Sequence, residues 1–172
     1  MPPNTYGSGS KPDRITPVSV YTRFHGHELP TLVTSNIEGR QRLFESRVAV
    51  RMLLEVMGEV RRDTGFELHA WVVMPDHLHF IIQLRGPSKL GRVMQLKKGR
   101  FANRYNKVTG SGGNLWQSRY HARVLRSERA LNAAIEYVHA NPVVAGLVSA
   151  GRIRLVFSAK ICSGGKAGEL RA

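Results

Sequence analysis

The run GFELHAWVVMPDHLHFIIQL, residues 65–84, constrains this chain more than any other segment. Two stretches rich in β-branched and aromatic residues flank Pro75-Asp76, a dipeptide suited to a tight turn. Residues 68–74 and 77–84 are therefore expected to form an antiparallel hairpin. Strand side chains alternate, so His77 and His79 share one face while Leu78 and Phe80 take the other. Imidazoles two residues apart, about 7 Å along a strand, can converge on one metal ion. Polar strand residues facing solvent are the alternative reading of the same pair.

Around the hairpin the chain alternates strand and helix patterns. Residues 15–24 (ITPVSVYTRF) read as a first strand, followed by a loop containing Gly and Pro. Phe44, Val48, Met52, Val56 and Val60 recur every four residues as one helix face, with Arg47, Arg51, Glu55 and Glu59 for solvent. Gly65 closes that helix. A second helix is expected over residues 88–107, with Leu90, Val93, Met94, Phe101 and Tyr105 inward. After GSGGN, RYHARVL supplies a fourth strand, and Ser127 is a good N-cap for a third helix that Pro142 should end. The order is β-α-β-β-α-β plus a helix, an α+β, ferredoxin-like split βαβ arrangement with an antiparallel sheet. Leu78, Phe80, Ile82 and Leu84 would then pack under the helices, leaving His77 and His79 on the open face. One domain over residues 14–158 is expected, between a disordered tail over 1–13 and a loose Gly-rich tail over 159–172.

Composition narrows the function. No run approaches the ~20 apolar residues that span a bilayer. Residues 1–14 lack the apolar core of a secretory signal. The single cysteine, Cys162, excludes an internal disulfide framework and suits the cytoplasm. The formal charge is +14, and residues 85–129 hold twelve Lys and Arg against Glu128 alone, a local net of +11. Such asymmetry favours a polyanion partner, above all nucleic acid, over a merely solvated face. Lys97, Lys98, Arg100, Arg104, Arg119 and Arg123 are the expected phosphate contacts.

Two histidines do not complete a catalytic metal centre. On the third helix Leu131, Ile135 and Val138 form one stripe and Ala130, Ala134, Tyr137 and Asn141 a second. Tyr137 offers a hydroxyl nucleophile, and Asn141, one turn on, an amide oxygen for a hard cation. Asn141 also has a plain reading as the stop signal before Pro142, and Tyr137 as a half-buried helix tyrosine. Tyr105 falls on the apolar face of its helix. Trp71 reads as core, while Trp116 is open between stacking on a base and packing under its loop. His69, His121 and His139 lack ligand spacing and read as surface residues or, at most, DNA contacts.

The segments GFELHAWVVMPDHLHFIIQL, GRVMQLKKGRFANRYN, LWQSRYHARVL and EYVHANPVVAGLV together resemble the REP-associated tyrosine transposases, within the single-tyrosine HUH (His-hydrophobic-His) transposase superfamily of bacterial insertion sequences. HLH alone is a weak signal; HLH after AWVVMPD and followed by YxxxNPV is specific. The likeness covers residues 37–148, with a weak extension to Phe157-Ser158. It implies a ferredoxin-like endonuclease and strand transferase that nicks single-stranded DNA beside REP-like hairpins and forms a 5′-phosphotyrosyl intermediate. It further implies His77, His79 and Asn141 as ligands of Mg²⁺ or Mn²⁺ and Tyr137 as the nucleophile; Tyr120 is not the nucleophile in such proteins. Histidine ligands also admit Zn²⁺ or Co²⁺. The resemblance favours a monomer, with a dimer sharing tyrosines in trans as the alternative, acting at the nucleoid. A non-catalytic nucleic-acid-binding module on the same fold is the competing reading, since the basic stripe needs no metal.

Overall fold

The computed structural model describes residues 29–147. The strand expected over 15–24, both tails, Cys162 and Phe157-Ser158 lie outside them. Strand β1 is Thr31–Asn36, followed by two 3-10 turns and helix α1, Arg47–Thr64. Then come β2 (Glu67–Met74), β3 (His77–Gln83), α2 (Leu90–Thr109), β4 (His121–Val124) and α3 (Glu128–Val144). The strands lie in the order β2-β3-β1-β4, and every neighbouring pair is antiparallel. This is the expected split βαβ arrangement with an added C-terminal helix.

The central strand β1 lies in a segment that reads as loop. TLVTSN carries only two apolar residues, and they serve opposite faces: Val33 packs toward α1 and α2, Leu32 toward α3. Pairing on both edges, to β3 and β4, stabilises a strand whose own pattern is weak. The hairpin follows its sequence: Met74 pairs with His77 across the two-residue turn, Val72 with His79, and one irregularity falls between Leu68 and Ala70.

The every-four reading of α1 drifts, because four residues advance 400° and each step slips about 40° around the axis. Val48 is accordingly 62% exposed, while Ala49, Leu53, Val56 and Val60, spaced four, three and four, are fully buried. Ser46 caps the helix through Ala49 N–H, and Gly65 closes it in the left-handed conformation. Helix α1 is bound to α2 by ions as well as apolar contact: Arg104 meets both Glu59 oxygens at 2.7 and 2.8 Å, and Arg100 reaches Asp63 at 2.6 Å.

The first face of the sheet packs Val33, Leu78, Phe80 and Ile82 under α1 and α2. The second face, expected to be open, is covered in part by α3: Leu131, Ala134 and Val138 seat on Leu32, Val72 and Ile81. Ala134 thus belongs to the core stripe, and Ile135 sits at its margin. Pro142 does not end α3, which runs on to Val144. A proline in the final turn removes one N–H, and the helix end is closed by Ala145 N–H on the Asn141 carbonyl (2.9 Å) and Leu147 N–H on the Pro142 carbonyl (2.8 Å).

Candidate functional site

Strand register assembles the site. Asn36 lies opposite His77 and Thr34 opposite His79, so the ends of β1 and the hairpin present their polar side chains together. The two imidazoles meet edge to face, centroids 4.7 Å apart, with the Nε2 atoms 3.1 Å from one another. Each ring is held from its other nitrogen. Asp76 Oδ1 contacts His77 Nδ1 and Thr34 Oγ1 contacts His79 Nδ1 at 2.8 Å. A carboxylate can only accept, so His77 donates its Nδ1 proton to Asp76 and turns Nε2 toward His79.

His79 is buried, 6% exposed. Burial, then His77 and Arg40 nearby, pushes its pKa down to about 4, so the ring is neutral at physiological pH. The two Nε2 atoms are within hydrogen-bond distance, so one ring can donate to the other when no cation is held between them. Both Nε2 atoms lie close enough to one another for a single ion to take a lone pair from each. With carboxylate and hydroxyl behind the rings, the pair fits a divalent ion. Asp76 is occupied by His77 and Arg40, and no group of three His, Cys, Asp or Glu able to hold a metal occurs among the described residues. Among the described residues, any third protein ligand is therefore of another kind.

Tyr137 comes from α3 to the same place. Its ring meets the His79 ring edge to face at 5.6 Å, and half of the residue remains exposed. Ser127 caps α3 through Ala130 N–H (3.1 Å), and the seating of Ala134 and Val138 on the sheet sets which way the helix turns Tyr137. Asn141 donates Nδ2 to the Tyr137 carbonyl at 2.9 Å, which commits its nitrogen and leaves the amide oxygen as its acceptor half. His77, His79 and Tyr137 thus come together within one chain.

The basic set divides. Lys97 is a correction: it is fully buried, its Nζ 3.8 Å from the Trp116 ring centroid and 5.6 Å from that of Phe80. Among the described residues its Nζ has no hydrogen-bond partner, and burial, with Lys98 adding, holds its pKa well below the ordinary lysine value. It cannot reach a phosphate. Trp116, 2% exposed and packed on Phe44 and Phe101, is core and not a base-stacking platform. Lys98 is turned to the carbonyls of Gln117, Ser118 and Arg119 at 2.6–3.4 Å, and Arg100 and Arg104 are engaged with the acids of α1. Arg119 and Arg123 are exposed. His121 pairs across from Thr34 and Arg123 from Leu32, so both project on the face that carries His79 and Tyr137.

Three contributors were not singled out from sequence. Thr34 lies in the segment read as loop, and Arg40 follows it. Asp76 stood in the turn; its place directly before HLH was the one signal available. His69, read as surface, is partly buried and contacts Gln83 on the neighbouring strand at 3.1 Å.

Residues 32–141 match the family of IS200-like transposases. The REP-associated tyrosine transposase of Escherichia coli (strain K12) is 29% identical over 133 residues, 76% of each chain. A solved REP-associated tyrosine transposase bound to a REP hairpin superposes with a TM-score of 0.62 at 28% identity, covering 74% of each chain. A putative transposase from Deinococcus radiodurans R1, at 23% identity and TM-score 0.51 over 67% of this chain and 92% of that one, shares the fold. A match over residues 32–141, most of the described fold, places the chain: it belongs to the IS200-like transposases, enzymes that nick and rejoin DNA.

Proposed function

We propose that the protein is a metal-dependent single-stranded DNA endonuclease and strand transferase that cuts beside hairpins and joins itself to the 5′ side through Tyr137. One observation carries this reading: Tyr137, half exposed, stands edge to face with a histidine whose Nε2 is 3.1 Å from that of its neighbour. A Mg²⁺ or Mn²⁺ ion held by His77 and His79, with the Asn141 amide oxygen as third ligand, would supply Lewis-acid stabilisation of charge on the scissile phosphate.

The chain's own residues do the remainder. His79, neutral because it is buried, offers a lone pair at physiological pH, and Asp76 and Thr34 hold the two rings in place. The Tyr137 oxygen attacks phosphorus and loses its proton, while the 3′ oxygen leaves and gains one. A phosphoester replaces a phosphoester, so attack by a free 3′-hydroxyl can reverse the step without a nucleotide cofactor. Exposed His121 and Arg123 on the same face, with Arg119 at the entry to β4, provide a path for the strand's phosphates.

A REP-like hairpin is the proposed substrate, supported by the hairpin-bound relative. A monomer suffices, because histidines and tyrosine meet within one chain, and the site of action is the nucleoid in the cytoplasm. Incubation with hairpin-flanked single-stranded DNA and Mn²⁺ should give a protein–DNA adduct that survives denaturation and is absent with chelator. Metal-independent binding without any adduct would instead support a non-catalytic DNA-binding module.

A further inference from the structure

Among the described residues Arg40 is the one non-glycine residue at positive φ (55°), directly after Gly39 at 60°. The left-handed region disfavours a side chain with a Cβ, and arginine has no special aptitude for it. Such a conformation persists where the surroundings over-determine it. Here the two left-handed residues turn the chain back after β1, and the guanidinium returns to the sheet end. Its Nε reaches Asp76 Oδ2 at 2.8 Å and its Nη1 donates to Asn36 Oδ1 at 2.9 Å.

The fork is held from behind. Asn36 Nδ2 donates to Gln117 Oε1 at 3.1 Å, and Gln117 N–H donates to the Asn36 carbonyl at 3.1 Å. Ahead of it, the second Asp76 oxygen takes His77 Nδ1. One hydrogen-bonded series therefore runs Gln117, Asn36, Arg40, Asp76, His77. The Arg40 side chain is 52% exposed and that of Asp76 19%, so the guanidinium reaches in from solvent to a mostly buried carboxylate, at a position whose backbone glycine would suit better.

From this geometry we infer that Arg40 is a positioning residue for the metal pair: it pins Asp76 so that the His77 ring is fixed with Nε2 toward His79, and Asn36 and Gln117 pin Arg40. The inference rests on the reading of His77 as a metal ligand. The Arg40 charge acts in the opposite sense, by repelling a divalent ion. That field is screened for a half-exposed group, whereas the loss of ring orientation is direct.

Calorimetric titration with Mn²⁺ in the absence of DNA, alongside thermal melts, tests this. Arg40→Gly should weaken Mn²⁺ binding about tenfold or more, the usual scale for a lost outer partner, while the melting temperature holds or rises as backbone strain is relieved. Arg40→Lys should recover part of the affinity, and Gln117→Ala should lose less in the same direction. Unchanged affinity in Arg40→Gly, or affinity and melting temperature falling together, overturns the inference. Wild-type protein that binds no Mn²⁺ overturns the metal reading and this inference with it; wild-type binding with an indifferent Arg40→Gly overturns this inference alone.

Discussion

The two faces of the sheet put neighbouring residues to opposite uses. On one, Leu78 and Phe80 lie under two helices within a large apolar cluster. On the other, one residue away along the same strand, His77 and His79 meet Asp76, Thr34 and Tyr137 beside a single helix seated through Ala134 and Val138. The first face has the packing that holds the sheet flat against its helices. The second is only partly covered, and small alanines on α3 leave Tyr137 half in solvent. Rigidity on one side lets the other carry the histidine pair without losing its geometry.

Substitutions on each face should separate these roles. Phe80→Ala should have the largest effect on folding, lowering stability by about 3–5 kcal/mol by chemical denaturation. His79→Ala should leave the fold cooperative yet remove Mn²⁺ binding and adduct formation together. If His79→Ala unfolds the protein as Phe80→Ala does, the two faces are not distinct in function.

Lys97 is the exception within the packed face. Its ammonium has lost water without gaining a hydrogen-bond partner among the described residues, and the Trp116 ring compensates only in part. Lys97→Met should raise stability by about 1–3 kcal/mol at pH 7. The sign of the pH dependence follows from a lowered folded pKa. The unfolded chain binds the proton more tightly, so wild-type stability gains as pH rises toward about 10.4. The advantage of Lys97→Met over wild type should therefore shrink as pH rises, and a constant difference would mean that Lys97 is not charged at the cost assigned here.

The smallest effect belongs to the exposed cations of the site face. Arg123→Ala should weaken single-stranded DNA binding several-fold and lower the salt slope by about 0.7. The same change at Lys97 should not alter the slope. A salt slope that responds to Lys97 and not to Arg123 would reverse the division of the basic residues.

The legible parts of this molecule are those set by neighbours in sequence. The hairpin follows from its alternating residues and Pro75-Asp76, and the helix ends at Ser127 and Gly65 follow from local capping. Tyr137 and Asn141 are one turn apart on any helix. What could not be read depends on distant partners. TLVTSN becomes the central strand because β3 and β4 pair with it, with little help from its own composition. Arg100 and Arg104 belong to the acids of α1, since Glu59, assigned to solvent, faces α2 instead. Lys97 lies on the inner side of α2 because Trp116, 19 residues later, folds over it. Pro142 stays helical because its lost N–H falls in a final turn closed by other bonds.

The most direct measurement is tandem mass spectrometry of the protease-digested adduct formed on a hairpin-flanked single strand with Mn²⁺. The nucleotide is expected on Tyr137 alone, with no adduct from Tyr137→Phe. A nucleotide on Tyr105 or Tyr120, or an undiminished adduct from Tyr137→Phe, would contradict the account.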